Sequence, residues 1–199
     1  MVFQFNGMYY SFTTTQIVVA AFVLVVIVAV AIAAYTEHRK TRTQALRKRF
    51  GSEYDREILK NGSSRQAESK LADRESYVKT LEIRDLGVGE RDRFLTEWYT
   101  VQSRFVDHPK AAVTEADDLI NALLEARGYP HATFEQRAAD LSVGYPRIME
   151  NYRLAHAAAV RLGKVEATTE ELRTAMIQYR SVFDELAQPK TPAEQKSAA

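Results

Sequence analysis

The run IVVAAFVLVVIVAVAIAAY at residues 17–35 constrains this chain more than any other feature, with nineteen residues and no charge, amide or hydroxyl except the closing Tyr35. At about 1.5 Å of rise per residue, a helix of that length covers roughly 28 Å, close to the ~30 Å hydrocarbon core of a bilayer. Helices that pack into a soluble core normally keep a polar stripe, and this run has none. The spacing therefore predicts a transmembrane helix over residues 17–35, with residues 1–16 as a short extracytoplasmic N-terminus. That N-terminus has no charged side chain and supplies Phe3, Phe5, Tyr9, Tyr10 and Phe12, rings suited to a membrane-water interface.

Charge then sets an orientation. Residues 36–50 form a basic juxtamembrane segment containing Arg39, Lys40, Arg42, Arg47, Lys48 and Arg49; against Glu37 they give residues 1–50 a net +5, leaving −4 of the overall +1 for the rest. The positive-inside rule places this side in the cytoplasm, so the expectation is a single-pass protein of a bacterial inner membrane, N-terminus out and C-terminal domain cytoplasmic. The competing reading is a cleaved signal peptide and a secreted product, with Ala31-Ile32-Ala33 as the small-residue cleavage site. Against it stand the absence of an N-terminal cation, an apolar run longer than about 7–15 residues, and cations on the wrong side. The six cations either set topology alone or also engage anionic lipid headgroups, at about 1 kcal/mol each. They lack the interleaved aromatics that a nucleic-acid partner would favour.

No cysteine occurs, which excludes disulfides, thiolate metal sites, iron-sulfur clusters and cysteine nucleophiles. With 46% hydrophobic and 27% charged residues the chain has the composition of a folded protein. After Phe50 apolar residues recur at three- and four-residue steps, without sustained alternation, so residues 51–187 are expected to form a compact multi-helix bundle of the all-α class. Ser63 with Gln66 suggests a capping box opening a helix to about Leu81, whose face carries Ala67, Leu71, Val78 and Leu81 and is interrupted by Arg74. A second helix over about 90–106 aligns Phe94, Trp98, Val101 and Phe105, with Leu95 and Tyr99 alongside. Asp107 is a possible cap and Pro109 a first helical residue for a third helix reaching about Arg127, aligned on Val113, Ala116, Ile120, Leu123 and Leu124.

Two Gly-Tyr-Pro triplets, Gly128-Tyr129-Pro130 and Gly144-Tyr145-Pro146, bracket a helix of one to two turns opened by Thr133 and Gln136. Another helix follows from Pro146 to Leu162, stopped by Gly163. Thr168 with Glu171 opens the last, on which Leu172, Met176, Tyr179, Phe183 and Leu186 repeat at heptad-like steps. Residues 188–199, with two prolines and almost no apolar bulk, are expected to form a disordered tail.

Chemistry-bearing motifs are few. The four histidines show neither Glu-x-x-His nor His-Glu-x-x-His spacing, so no metal or other cofactor is expected. Ser76-x-x-Lys79 has serine-lysine spacing without the companion motifs of penicillin-recognising enzymes. Glu115, Asp117 and Asp118 cluster on one helix and read best as a solvated face. No catalytic residue is assigned.

The polar and aromatic groups Arg127, Tyr129, His131, Gln136, Arg137, Asp140, Tyr145 and Tyr152 concentrate around the short helix and form the candidate binding surface, unless the rings simply pack that corner. The sequence is thus expected to encode a membrane-tethered, non-enzymatic helical binding or scaffolding module, with a protein partner or self-association. The alternative is a small-ligand-binding protein or enzyme whose polar site gathers Arg137, Asp140 and His156 in one cleft.

Residues 104–157, with RGYP, FEQRAADLSV and YRLAH in succession, resemble a family of uncharacterised bacterial membrane-anchored or secreted helical proteins. The resemblance implies no reaction. Where its members are expected to carry Asp-His before the second proline, this chain has Gly144-Tyr145, which removes one histidine from any role shared with them.

Overall fold

The computed structural model describes residues 2–5, 8–11, 14–161 and 167–189. The chain divides into two compact units, residues 1–45 and 46–199. In the first, strands β1 (Val2–Phe5) and β2 (Met8–Ser11) pair antiparallel with Val2 opposite Ser11. This hairpin is an addition to the all-α expectation.

Helix α1 (Thr14–Phe50) then runs without a break through the apolar run and the basic segment. It is long and apolar enough to cross a membrane, and none of its most apolar stretch is buried by the rest of the chain. The helix continues past Tyr35 because Thr36, Glu37 and the residues that follow include no proline or glycine until Gly51, where φ is +52°.

The second unit is helical throughout its described residues: α2 (Ser52–Asn61), α3 (Ser64–Thr80), α4 (Val88–Arg104), α5 (Pro109–Ala126), α6 (Phe134–Gly144), α7 (Met149–Arg161) and α8 (Thr169–Ala187). A single 3-10 turn, Pro146–Ile148, leads into α7. The main core lies among α4, α5, α7 and α8, where Trp98 stacks on Phe183 with ring centroids 4.8 Å apart. A smaller core joins Leu46, Phe50, Tyr54, Leu71, Val78 and Val143, so α6 bridges the α2–α3 pair to the main bundle.

The expected helix faces are the buried ones. Phe94, Trp98 and Val101 are buried on α4, whereas Tyr99 points to solvent at 61% exposure. Heptad-spaced Leu172, Met176, Tyr179, Phe183 and Leu186 all enter the bundle core.

Several local expectations need correction. α2 had no distinct sequence signal beyond the Asn61-Gly62 turn. Ser63 precedes α3 but its side chain makes no capping bond. His108, not Asp107, occupies the N-cap of α5, because the turn after α4 is closed by His108 N–H donating to the Arg104 carbonyl. Helix α6 is eleven residues long, three turns rather than one to two. Gly163 and most of residues 188–199 lie outside the described residues.

The end of α5 follows the expected chemistry closely. Gly128 takes φ +94°, the Gly128 N–H donates to the Glu125 carbonyl at 2.9 Å, and the Tyr129 N–H donates to the Leu124 carbonyl at 3.0 Å. This is a Schellman closure, which satisfies carbonyls that the helix end would otherwise leave unpaired.

Candidate functional site

Three polar networks are embedded in the second unit. The first centres on Arg127, which is 1% exposed. Its Nη1 donates to the Leu186 carbonyl at 2.6 Å and its Nη2 to the Asp85 carboxylate at 2.8 Å, while the guanidinium lies 5.7 Å from the centre of the Tyr145 ring. The Leu186 contact satisfies an end carbonyl of α8, the role a cation near a helix C-terminus is suited to. Tyr129 and Tyr145 are both buried, and burial followed by the neighbouring Tyr145 pushes the Tyr129 phenol above its ordinary range.

The second network joins α5, α7 and α8. His156 Nδ1 sits 3.1 Å from Asp117 Oδ1, and the Tyr179 hydroxyl donates to the same oxygen at 2.7 Å. The imidazole stacks on Phe134 with centroids 3.7 Å apart. Burial pushes the Asp117 carboxyl up, but the hydrogen bonds from His156 and Tyr179, with Arg137 nearby, outweigh it and hold the group below its usual range. Asp117 is therefore an interior partner, not the solvated carboxylate expected from its sequence neighbours. An Asp-His pair can orient an imidazole as a base. Among the described residues, however, no hydroxyl is hydrogen-bonded to the other ring nitrogen of His156.

The third network lines a groove of about 440 Å³ between α2, α3 and α6. Arg74 Nη2 donates to Glu57 at 2.9 Å and Nη1 to the Ser142 hydroxyl at 3.3 Å. Asn61 also donates to the Glu57 carboxylate, at 2.8 Å. Asp140, 1% exposed, accepts from Gln136 at 2.8 Å. Burial raises the Asp140 carboxyl above its ordinary range despite Gln136 and the charge of Arg74.

The chain's own similarity to other proteins adds no further restriction. No family model, curated protein or solved structure matches it.

The candidate residues of the sequence separate among these networks. Arg127, Tyr129, Asp140, Tyr145 and Tyr152 are buried, so their side chains face inward, whereas His131 is exposed beside Glu125. Arg137 donates to the Ala132 carbonyl and acts on Tyr152 and Asp117. His156 is thus bonded to Asp117, which Arg137 reaches only by its charge, while Asp140 is bonded to Gln136 on its own helix. Ser76 and Lys79 do not meet as a nucleophile and its base: Lys79 pairs with Glu75 at 3.1 Å. Among the described residues no cluster of metal-ligating side chains forms.

The basic segment also divides. Arg47 pairs with Asp55 at 3.0 Å, Arg49 with Glu75 at 2.9 Å, and Lys40 lies 3.9 Å from Glu37. Arg39, Arg42 and Lys48 form no salt bridge among the described residues.

Glu53, Glu57 and Arg153 carry polar structure that sequence reasoning did not single out, and Tyr179 was read only as a core position. The interruption of the α3 apolar face by Arg74 was the one local signal, since a cation on a core-facing stripe requires a buried partner.

Proposed function

We propose that the chain is a single-pass membrane protein of a bacterial inner membrane whose helical domain is a tethered binding or scaffolding module on the cytoplasmic side. The observation that carries this reading is the apolar stretch of α1, long enough to cross a membrane and covered nowhere by the rest of the chain among the described residues. Leaving that much apolar surface in water forfeits about 25 cal/mol per Å², a cost that a bilayer removes. The cations that follow favour the cytoplasmic side, and Arg39, Arg42 and Lys48 are the ones free to meet anionic headgroups.

Binding rather than catalysis is favoured because the polar side chains are spent on joining helices. A surface for a protein partner is offered on α4, where Val88 and Tyr99, three turns apart, are 81% and 61% exposed, and Val106 in the turn beyond is 83% exposed.

Expression of the full chain followed by carbonate extraction of membranes tests the anchor. The protein stays in the pellet, and a variant lacking residues 14–35 moves to the supernatant. Recovery of the full chain in the supernatant, or of a shortened form outside the cell, would replace the anchor with a cleaved signal peptide. Crosslinking in intact membranes, with Tyr99→Glu as the control, tests the partner: failure to capture any reproducible partner or second copy ends the scaffolding reading.

A further inference from the structure

Of the two Asn-Gly pairs in the chain, Asn6-Gly7 lies outside the described residues and Asn61-Gly62 closes helix α2. Asparagine is thermolabile because its side-chain amide can be attacked by the next backbone nitrogen, and glycine puts no side chain in the way. The Gly62 nitrogen gives up its proton to solvent and bonds to the side-chain carbonyl carbon of Asn61. The carbon–nitrogen bond of the amide breaks, the departing nitrogen takes up a proton, and ammonia leaves. Water then opens the cyclic imide to aspartate or isoaspartate. Nothing is oxidised or reduced: water enters and ammonia departs.

The surroundings of Asn61 oppose the first step. The Gly62 N–H donates to the Ile58 carbonyl at 2.8 Å, and the Asn61 amide donates to the Glu57 carbonyl at 2.7 Å and to the Glu57 carboxylate at 2.8 Å. Ring closure requires Asn61 to leave the helical backbone and all three bonds to be given up together. Steric cover plays no part, since Gly62 is exposed and a methyl group there would meet nothing within 4 Å. Protection therefore rests on hydrogen bonds at a helix end, which open by local fraying.

The same surroundings oppose the product. Aspartate at this position replaces two donors with an acceptor that faces two acceptors. One of these is the Glu57 carboxylate, whose side chain is 8% exposed and accepts from Arg74 at 2.9 Å. A second negative charge in so desolvated a place is disfavoured. Isoaspartate also lengthens the main chain by a methylene and so disrupts the Gly62 cap. Either product weakens the Glu57–Arg74 pair, and with it the 3.3 Å bond from Arg74 to Ser142 that ties α3 to α6.

We propose that Asn61 is a site of spontaneous deamidation governed by folding: the closed end of α2 holds the reaction back, opening releases it, and the modified chain cannot rebuild the contact among α2, α3 and α6. The site lies within the second unit and makes no use of the anchor or of a partner, so this proposal and the proposed function fail separately.

The full-length chain in detergent at mildly alkaline pH, with and without concentrated urea, tests the protection. Mass spectrometry of the peptide containing Asn61 follows the exchange of the amide for a carboxyl. Conversion is expected to be at least about tenfold faster in urea. Equal rates, or no conversion in urea, overturn the proposal. Asn61→Asp and Asn61→Ala, melted by circular dichroism, test the product, because both lose the donors and only the first adds a charge. Asn61→Asp is expected to melt below Asn61→Ala, or to be the one that fails to fold. An Asn61→Asp chain that melts with or above Asn61→Ala overturns the proposal. Should neither variant fold, the rate comparison on the parent chain decides.

Discussion

The guanidinium of Arg153 holds the carboxylate of Glu53 through two hydrogen bonds, Nε to Oε1 and Nη2 to Oε2, each 2.9 Å long and joining residues a hundred positions apart. The side chains are 15% and 5% exposed, and Glu135 adds a further contact to Arg153 at 3.4 Å. The pair fastens α2, which follows directly on the apolar helix, to α7 of the main bundle.

Removing one partner of a buried, bidentate pair strands the other charge, at a cost of about 3–5 kcal/mol. Arg153→Ala is therefore expected to lower thermal stability strongly, measured by circular dichroism. The double variant Glu53→Leu, Arg153→Met should recover most of the loss, because the desolvation cost of both charges disappears together. A double variant no more stable than Arg153→Ala would count against the pair as an isolated electrostatic unit.

Asp117 gives a pH dependence of defined sign. Its folded-state value lies below its unfolded one, so its stabilisation is present above the unfolded value and is lost as pH falls through the folded value. Glu57 adds in the same direction: burial pushes it up, but hydrogen bonds from Asn61 and Arg74 outweigh that effect. Urea midpoints should fall as pH drops below about 4, the ordinary carboxylate range, and Asp117→Asn should flatten that fall.

Asp140 behaves oppositely. Burial raises its folded value, so the penalty appears as pH rises through the unfolded value and is complete above the folded one. Asp140→Asn is expected to raise the melting temperature at neutral pH and to lose that advantage in acid. A neutral-pH melting temperature below that of the parent would contradict it.

Trp98 is the single tryptophan and is 1% exposed, stacked on Phe183 at the centre of the main core. Its fluorescence should report global unfolding of the second unit and coincide with loss of helical signal. Phe183→Ala should cost about 3–5 kcal/mol and move Trp98 emission to the red even before unfolding.

Gly128 and Gly62 separate backbone strain from crowding. Both have positive φ, +94° and +68°, but a methyl group on Gly128 would run into the Glu82 carbonyl oxygen, whereas one on Gly62 would meet nothing within 4 Å. Gly62→Ala should cost about 1 kcal/mol. Gly128→Ala should cost clearly more, because the backbone of residues 82–84, held by Arg84 N–H donating to the Arg127 carbonyl at 2.9 Å, has no room to move away. Equal melting temperatures for the two variants would refute the crowding.

Much of the local structure was legible because short-range forces set it. Thr168 and Glu171 close their capping box as their spacing predicts, with the Thr168 N–H donating to Glu171 at 2.8 Å. The first Gly-Tyr-Pro ends α5 through the left-handed conformation of Gly128, and the second ends α6 at Gly144 before Pro146 starts the next turn. The failures have the same origin. Asp107 was a capping residue by type, but the tight turn from Arg104 to His108 left it no helix end to cap.

The amino-acid order by itself determined the apolar helix, its flanking charge and the existence of the helices after Gly62, though not α2 or the length of α6, because periodicity, capping and helix termination act over a few residues. Only the tertiary structure decided that Tyr129 and Tyr145 face inward, that Asp117 is an interior partner of His156 and Tyr179, and that Arg153 reaches Glu53. Those outcomes depend on which helix faces meet. A buried charge finds its partner wherever packing brings one, at separations in sequence that carry no local signal.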